Sequence, residues 1–331
     1  MGAPFSRGAF FIGVRVLQRK FHARKITRLA FAATAMLLAA APAFAARASA
    51  QIVTDETGRR VTIPADVRRI VSLAPNLTET IYALGAESRL AGDTDYCDDP
   101  PAAKMKPHVG APLSPSLEAI VGLKPDLVLA STSINRRETV EALDHLGVPV
   151  YSTDPHTVDG LLAGIAHLAS VIGAAQQGQE LVSQLQARLG ALHAKLAGEP
   201  QRRVLFVVWD EPLISVGPAT FIADALLRAG AESVISSKQN WPQVSFEEIV
   251  RLQPEYVIFT GDHGDGAATT LAELRSRPGW RDLEAVKQGR IAFVSGEVDR
   301  PAPGLVEAIE NLAKQLHPAA FGQTDAPGSS R

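Results

Sequence analysis

The chain has 331 residues, of which 21% are charged and 46% hydrophobic, and its formal net charge is −2 at pH 7. That length is enough for two domains with sizeable cores. Eight of the 33 basic residues and none of the 35 acidic residues lie in the first 50 positions, so the remainder carries a net charge of about −10. This acidity argues against nucleic acid or an anionic membrane surface as a partner.

Residues 1–50 have the pattern of a secretory signal peptide. Basic residues precede the 13-residue apolar run Leu29–Ala41, and the small residues Ala43–Ala45 and Ala48–Ala50 form two A-x-A cleavage sites. The apolar run is too short to cross a bilayer as a helix. The only cysteine, Cys97, lies far beyond both sites and excludes an internal disulfide. We therefore expect a cleaved, soluble periplasmic protein rather than a lipoprotein.

An internal repeat predicts the architecture of the mature chain. Ser116–Ala130 and Ser245–Phe259 are identical at seven of fifteen aligned positions. Two further pairs of similar segments occur in the same order, Gly85–Ser88 with Gly230–Ser233 and Gly160–Ala169 with Gly304–Ala313. Repeats in the same order predict two lobes of similar structure.

Each copy of the repeat has the pattern of a helix, a turn and a strand. Ser116 and Ser245 are candidate N-caps, and Pro125 and Pro254 close the turns. Six short apolar segments are predicted to form parallel strands: Arg69–Leu73, Asp126–Ala130, Val148–Tyr151, Val204–Val208, Glu255–Phe259 and Ile291–Val294. With helices between the strands, each lobe is predicted to be an α/β sandwich.

A long helix is predicted between the lobes. Ala175–Ala197 carries leucines on one helical face, and Gly198 and Pro200 terminate it. Such a helix spans about 33 Å, so it favours modest lobe closure rather than a wide hinge motion. The predicted organisation is a signal peptide (1–50), an N-terminal α/β lobe (51–173), a linking backbone helix (174–198), a C-terminal α/β lobe (199–318) and a disordered tail (319–331).

Several motifs resemble those of periplasmic binding proteins for cobalamin, haem and iron-siderophores. They are Arg69–Thr80, Gly92–Pro101, Leu117–Val128, Trp241–Ser245 and Arg300–Gly304. The second, third and fourth look most like the cobalamin branch. The resemblance extends from Ile63 to about Pro318. It implies the class III binding-protein fold, in which two Rossmann-like α/β sandwich lobes are joined by a single long backbone helix, and delivery of a solute to an ABC importer.

The candidate ligand-binding residues lie on loops at the carboxyl ends of the predicted strands, where open parallel sheets bind ligands. These residues are Pro75, Asn76, Tyr96, Trp209, Trp241, Glu297, Val298, Asp299 and Arg300. We expect Tyr96 and Trp241 to pack on the ligand from opposite lobes, with Trp209 as a further aromatic contact. Packing in the core is the alternative role of each aromatic residue.

The predicted cleft loops are acidic. Their acidic residues include Asp93, Asp95, Asp98, Asp99, Glu297 and Asp299, and Arg300 is the basic residue beside them. Haem and siderophores bear negative groups that favour Arg or Lys, whereas the neutral amides of a corrinoid suit carboxylate acceptors. Composition and resemblance therefore favour cobalamin, with haem or an iron-siderophore as the alternatives. The capping of turns is another role for these carboxylates.

Enzyme and metal motifs are absent from the sequence. No G-x-S-x-G, H-E-x-x-H, G-x-G-x-x-G or Walker pattern occurs, and the eight histidines lack metal-ligand spacing. Gly261–Gly266 superficially resembles a cation-binding loop but lacks the ligand alternation and closing Glu of a calcium site. We therefore predict no catalytic residue, no cofactor and no metal, and keep a periplasmic hydrolase or chelatase as a distant alternative.

Glu118 and Glu247 occupy the same position in the two repeats. Helices that precede parallel strands begin at the carboxyl edge of the sheet, so both glutamates should flank the mouth of the cleft. In cobalamin-type relatives the matching glutamates meet arginines of the dimeric permease, and the resemblance implies that this protein docks in the same way. We expect the mature protein to be a monomer. A favourable interaction with the helix dipole is the alternative role. In the second repeat, Glu248 is placed to form a capping box with Ser245.

Overall fold

The computed structural model describes residues 50–260 and 270–322, together with Gly2. The predicted signal peptide up to Ser49, the Gly261–Gly266 loop and residues 323–331 of the predicted tail lie outside the described residues. The fold is that of the unit that begins at Ala50.

The first lobe is built on a parallel sheet of four strands. Its elements in chain order are β1 (Ala50–Thr54), β2 (Arg60–Pro64), β3 (Ile70–Ser72), α1 (Pro75–Ala83), β4 (Leu90–Gly92), β5 (Gly110–Ala111), β6 (Ser114–Pro115), α2 (Leu117–Gly122), β7 (Leu127–Ser131), α3 (Arg137–His145), β8 (Val150–Thr153) and α4 (Val158–Val171). The sheet has the order β4-β3-β7-β8. β1 pairs with β2 and β5 with β6 as antiparallel hairpins.

The second lobe repeats this topology after a long helix. Its elements in chain order are the linking helix α5 (Ala175–Leu196), β9 (Arg202–Val207), α6 (Phe221–Arg228), β10 (Ala231–Ser233), α7 (Phe246–Leu252), β11 (Tyr256–Thr260), α8 (Leu271–Ser276), α9 (Glu284–Lys287), β12 (Ile291–Val294) and α10 (Leu305–Leu316). The parallel sheet has the order β10-β9-β11-β12. When the strands of each sheet are counted in chain order, the second strand lies at one edge, followed by the first and the third, and the fourth lies at the other edge.

This arrangement confirms the predicted pair of similar α/β lobes joined by one helix. All six predicted strands form, with ends within two residues of the prediction, and the linking helix ends at Leu196. β4 and β10 were not predicted, because three residues are too few to give a recognisable period.

Local contacts explain why both copies of the repeat fold alike. The Ser116 hydroxyl accepts a hydrogen bond from the amide of Ala119, and the Ser245 hydroxyl accepts one from Glu248, both at 3.2 Å. A reciprocal capping box does form in the second lobe, between Thr270 and Glu273 of α8. The N-cap serines predicted for the two repeat helices are confirmed, whereas the Glu248 side chain does not make the return bond to Ser245 that the predicted capping box requires.

Both repeat helices also end in the same conformation. Lys124 and Gln253, each directly before the proline of the repeat, adopt φ angles of 49° and 42°. A left-handed residue at this point terminates the helix and turns the chain into the following strand. The two copies therefore share their backbone path as well as their sequence.

The core is continuous across the two lobes. A single cluster of buried apolar side chains contains strand residues of both sheets, together with Leu185, Leu189 and Leu192 of α5. Hydrogen bonds also cross between the lobes, from the Val158 amide to Asp224 (2.8 Å) and from Arg228 to Asp159 (2.7 Å). A shared core and cross-lobe hydrogen bonds favour the modest closure that the helical linker predicts.

Regular structure continues past the predicted start of the tail. The tail was expected to be disordered from residue 319, but Pro318–Phe321 forms a 3-10 helix. Phe321 packs against the core, and the Lys195 ammonium lies 5.0 Å from the centre of its ring. These contacts hold the start of the tail, which sequence composition does not reveal. Across the described ranges, no helix has the length and hydropathy needed to cross a membrane.

Candidate functional site

A pocket of about 220 Å³ lies between the lobes, where the carboxyl ends of the two sheets face each other. Its walls include Pro75, Asn76, Ser133 and Ile134 from the first lobe and Val208, Phe221, Ile222, Trp241, Arg300 and Pro301 from the second. Of the residues predicted from the sequence, Pro75, Asn76, Trp241 and Arg300 are therefore brought together. The pocket lies where parallel sheets are expected to bind ligands.

The first-lobe wall is formed by α1 and by the loop after β7. The Asn135 side chain fixes this loop: its oxygen accepts from the Ser131 amide (2.8 Å), and its nitrogen donates to the carbonyls of Leu73 (2.8 Å) and Pro112 (3.0 Å). These bonds join three segments of the lobe through one buried side chain. They place Ser133 and Ile134, which the sequence did not indicate, at the pocket.

The second-lobe wall depends on a close approach between two loops. The Gly217 amide donates to the carbonyl of Asn240 (2.9 Å), and the Ser215 amide donates to that of Pro242 (3.0 Å). A Cβ atom at Gly217 would lie 2.0 Å from the carbonyl oxygen of Gln239, so only glycine permits this contact. The contact holds Trp241 at the pocket with 49% of its surface exposed.

An ion pair joins the two lobes at the pocket. Arg300 of the second lobe donates from Nη1 to Oε1 of Glu79 on α1, at 3.3 Å. One helical turn earlier, the Asn76 amide group donates to the carbonyl of Pro301 at 3.4 Å. Glu79 was not predicted as a site residue, although it lies in the motif Arg69–Thr80. Its partner is 221 positions away in the chain, so local pattern gives no signal for the pair.

Three other residues predicted to bind the ligand, Tyr96, Trp209 and Val298, differ in how far they are buried. Tyr96 is 62% exposed on the loop that follows β4. Trp209 is half exposed, and its indole N–H donates to the carbonyl of Glu211 at 2.9 Å. Val298 is completely buried and belongs to the core, so its prediction as a binding residue was wrong. It lies in a 3-10 helix, Gly296–Asp299, whose inward face packs on the core.

The side chains of Glu297 and Asp299 lie outside the described part of the structure, so their predicted contact with the ligand stays a prediction. Both belong to the 3-10 helix that directly precedes Arg300.

The loop that carries Tyr96 is anchored by buried polar groups. Asp93 Oδ1 lies 2.8 Å from His108 Nδ1, and burial raises the pKa of Asp93 to about 6, although the hydrogen bond to His108 opposes the rise. The hydroxyls of Thr78 and Thr94 each lie 3.2 Å from the Cys97 sulfur. Burial raises the pKa of the Cys97 thiol, as expected for a packing residue rather than a reactive one.

Exposed acidic residues lie on the loop of Tyr96 and at the first turns of two helices. Asp95, Asp98 and Asp99 are exposed on the Tyr96 loop, whereas Asp93 is buried. Glu118 and Glu247 are exposed in the first turns of α2 and α7, the helices that precede β7 and β11. Among the described residues, no group of three or more His, Cys, Asp or Glu side chains is arranged to hold a metal ion.

Comparison with known proteins gives consistent results. The model of the family described as "Periplasmic binding protein" matches residues 70–297. The vitamin B12-binding protein of Pectobacterium carotovorum subsp. carotovorum (strain PC1) is 33% identical over 264 residues, which cover 78% of this chain and 92% of that protein.

Solved structures are also similar to this chain over most of its length. The periplasmic vitamin B12-binding protein BtuF of Vibrio cholerae has a TM-score of 0.67 and 26% identity, over 78% of this chain and 99% of that one. The periplasmic heme-binding protein RhuT of Roseiflexus sp. RS-1 has a TM-score of 0.68 and 26% identity, over 77% and 99%. The family match, the relatives and the two-lobed fold agree, and the chain belongs to the periplasmic binding protein family.

Proposed function

We propose that the protein is a periplasmic solute-binding protein that captures cobalamin, or a related corrinoid, between its lobes and delivers it to a cognate ABC importer. The observation that carries this proposal is the pocket between the lobes, lined by Trp241 and by apolar side chains of both lobes. Similarity to vitamin B12-binding proteins over most of the chain supports the choice of ligand.

The shape of the cleft suits a ligand with a broad apolar face. At about 220 Å³ the pocket is smaller than the roughly 300–1,000 Å³ of typical ligand sites, so a large macrocycle would rest across its mouth. Tyr96 and Trp241 are exposed aromatic side chains on opposite lobes, suited to contact two faces of such a ring. The exposed carboxylates of Asp95, Asp98 and Asp99 suit the amide N–H groups at the edge of a corrinoid.

Haem is the second candidate ligand. Its support is the structural similarity to a heme-binding protein, together with the exposed phenol of Tyr96, since tyrosine is one of the side chains that coordinate haem iron. A haem would bring carboxylates next to the acidic loop of Tyr96, which disfavours it relative to cobalamin.

Titration of the purified mature protein with cyanocobalamin, haemin and a ferric siderophore tests the ligand. We expect cyanocobalamin to bind with the largest heat in calorimetry and to shift its visible absorption band. Binding of haemin with no response to cyanocobalamin would show that the protein belongs to the haem branch.

Export is proposed to follow cleavage of the signal peptide. The basic segment, the apolar run Leu29–Ala41 and the A-x-A sites support a mature N-terminus between Ala46 and Gln51. N-terminal sequencing of the periplasmic protein checks this start. A membrane-bound form that retains the apolar run would contradict it.

We propose that Glu118 and Glu247 dock on the dimeric permease, one from each lobe. Both are exposed at the N-terminal turns of repeat-related helices, and two matched carboxylates suit a two-fold symmetric partner. The double variant Glu118→Ala/Glu247→Ala should weaken transporter association and cobalamin uptake while the protein still binds its ligand. Glu248→Ala, which removes the neighbouring exposed carboxylate, is the matched control. Uptake equal to that of the parent in the double variant would refute the docking role.

A further inference from the structure

The cross-lobe ion pair between Glu79 and Arg300 decides the charge that the pocket offers to a ligand. Glu79 is only 9% exposed, whereas 34% of the Arg300 side chain remains accessible in the pocket wall. Their charged atoms are 3.3 Å apart, and the adjacent hydrogen bond from Asn76 to Pro301 holds the same two segments together. The pair is therefore anchored on both sides of the cleft.

Separation of the buried Glu79 carboxylate from Arg300 is energetically unfavourable. Separating a buried carboxylate from a counter-ion is costly, because compensation of the charge is lost away from water. An anionic ligand that recruited Arg300 would have to draw it away from Glu79 or approach while Glu79 is still ionised. The first route breaks the ion pair, and the second brings the negative charge of the ligand within a few ångströms of the Glu79 carboxylate.

The loop of Tyr96 acts in the same direction, because Asp95, Asp98 and Asp99 are exposed on it and the loop follows β4 at the carboxyl edge of the first sheet. A ligand with free carboxylates is therefore opposed by the exposed acids of this loop and meets, in the pocket wall, an arginine whose charge is balanced by Glu79. A ligand without net negative charge meets neither penalty and can still accept hydrogen bonds from the accessible part of Arg300.

We propose that Glu79 is a specificity-determining residue: by neutralising Arg300 from the opposite lobe, it excludes ligands with free carboxylates and so selects neutral macrocycles over acidic ones. This inference rests on the proposed function, in which the pocket between the lobes is the ligand site. It assigns the discrimination to a residue that acts on the charge of the cleft rather than on its shape.

The test compares Glu79→Gln with the parent protein, using cyanocobalamin as the neutral probe and haemin as the probe with two carboxylates. Glutamine has nearly the same size and can still accept a hydrogen bond from Arg300, but it removes the negative charge that faces the guanidinium across the cleft. We expect the ratio of haemin affinity to cyanocobalamin affinity to rise by about tenfold or more, since a hydrogen bond between charged groups is gained.

Two controls separate this effect from a general change of charge. Glu138→Gln makes the same substitution at an exposed position of α3 and should leave the ratio as in the parent. The double variant Glu79→Gln/Arg300→Gln removes the unmasked cation and should abolish the gain. An equal rise in Glu138→Gln, or a gain that persists in the double variant, would overturn the proposal.

Folding and ligand identity are checked independently. If Glu79→Gln fails to fold, Glu79→Asp withdraws the carboxylate from Arg300 by one methylene, and we expect a smaller rise in the ratio, about threefold. An unchanged ratio in the folded variants refutes the role of Glu79. If the parent does not bind cyanocobalamin, the proposed ligand is wrong, and the effect of Glu79 is then judged from haemin affinity alone, variant against parent.

Discussion

The two lobes have the same strand order, yet their cores are built from different side chains. In the second lobe the fully buried Trp280 lies with its ring centre 5.1 Å from that of Phe246 and 5.4 Å from that of Phe259. The aligned positions of the first repeat are Leu117 and Ala130. Both aromatic partners of Trp280 thus replace smaller residues of the other copy. The repeat preserves the backbone and its caps, whereas side-chain volume adapts to a neighbour outside the repeat.

A second difference concerns four identical residues. Gly85–Ser88 and Gly230–Ser233 both begin with a left-handed glycine after a helix, at φ angles of 64° and 76°. The first copy then enters the 3-10 helix Glu87–Arg89, and its strand begins only at Leu90. The second copy enters β10 at once, because Ala231 pairs with Arg202 of β9. Local sequence therefore sets the helix end, and the neighbouring strand decides the conformation of the next three residues.

The largest expected effect is the loss of the aromatic cluster that distinguishes the second lobe. Trp280→Ala should lower the free energy of unfolding by about 3–5 kcal/mol, because it leaves a cavity between two aromatic rings. Denaturation with guanidinium chloride measures the change. The half-exposed Trp209 provides the control, since Trp209→Ala should cost less than about 1 kcal/mol. A similar loss in both variants would mean that the cluster adds nothing specific to the second lobe.

One pH effect should arise from the residue that follows the second strand of the sheet in the first lobe, with no counterpart at the matching position of the second lobe. The residue directly after β4, the second strand of the first sheet, is the buried Asp93. The residue directly after β10, the matching strand of the second sheet, is Val234. Burial raises the pKa of Asp93 to about 6, so the folded protein holds a proton that the unfolded chain releases near pH 4. Stability from this group is present at low pH and is lost as the pH rises from about 4 to 6.

The variant Asp93→Asn isolates this contribution. Between pH 4 and pH 7 its unfolding free energy should rise relative to that of the parent by on the order of 2–3 kcal/mol. Urea denaturation at several pH values measures the two curves. Parallel curves for the parent and Asp93→Asn would show that Asp93 titrates normally in the folded protein.

The two lobes should contribute comparable aromatic contacts to the ligand. Tyr96→Ala in the first lobe and Trp241→Ala in the second should each weaken cobalamin binding by about 1–3 kcal/mol, roughly five- to a hundredfold. Calorimetry on both variants provides the comparison. The proposed pair of platforms is refuted if either variant binds cobalamin as tightly as the parent.

The smallest effect tests the equivalence of the two copies. Ser116→Ala and Ser245→Ala each remove one N-cap hydrogen bond of 3.2 Å and should each cost about 1 kcal/mol of stability. Chemical denaturation should place the two losses within about 0.5 kcal/mol of each other. A clearly larger loss at one serine would show that the caps, like the cores, have diverged.

Much of the architecture was already determined by the sequence. Capping serines and apolar periodicity are local signals, and together with the internal repeat they predict the two α/β lobes and the helix Ala175–Leu196. The motifs Arg69–Thr80 and Trp241–Ser245 likewise pointed to the family and to several pocket residues. These signals are readable because backbone conformation depends mainly on residues that are close in the chain.

The tertiary structure alone decided which side chains meet in the cleft. It pairs Arg300 with Glu79, places Ser133 and Ile134 at the pocket, and buries Val298, which the sequence had assigned to the ligand. A sequence pattern shows that a loop lies at the carboxyl edge of a sheet but not which way its side chains point. That direction is set by contacts between segments far apart in the chain, such as the bonds of Asn135 to Leu73 and of Asn76 to Pro301.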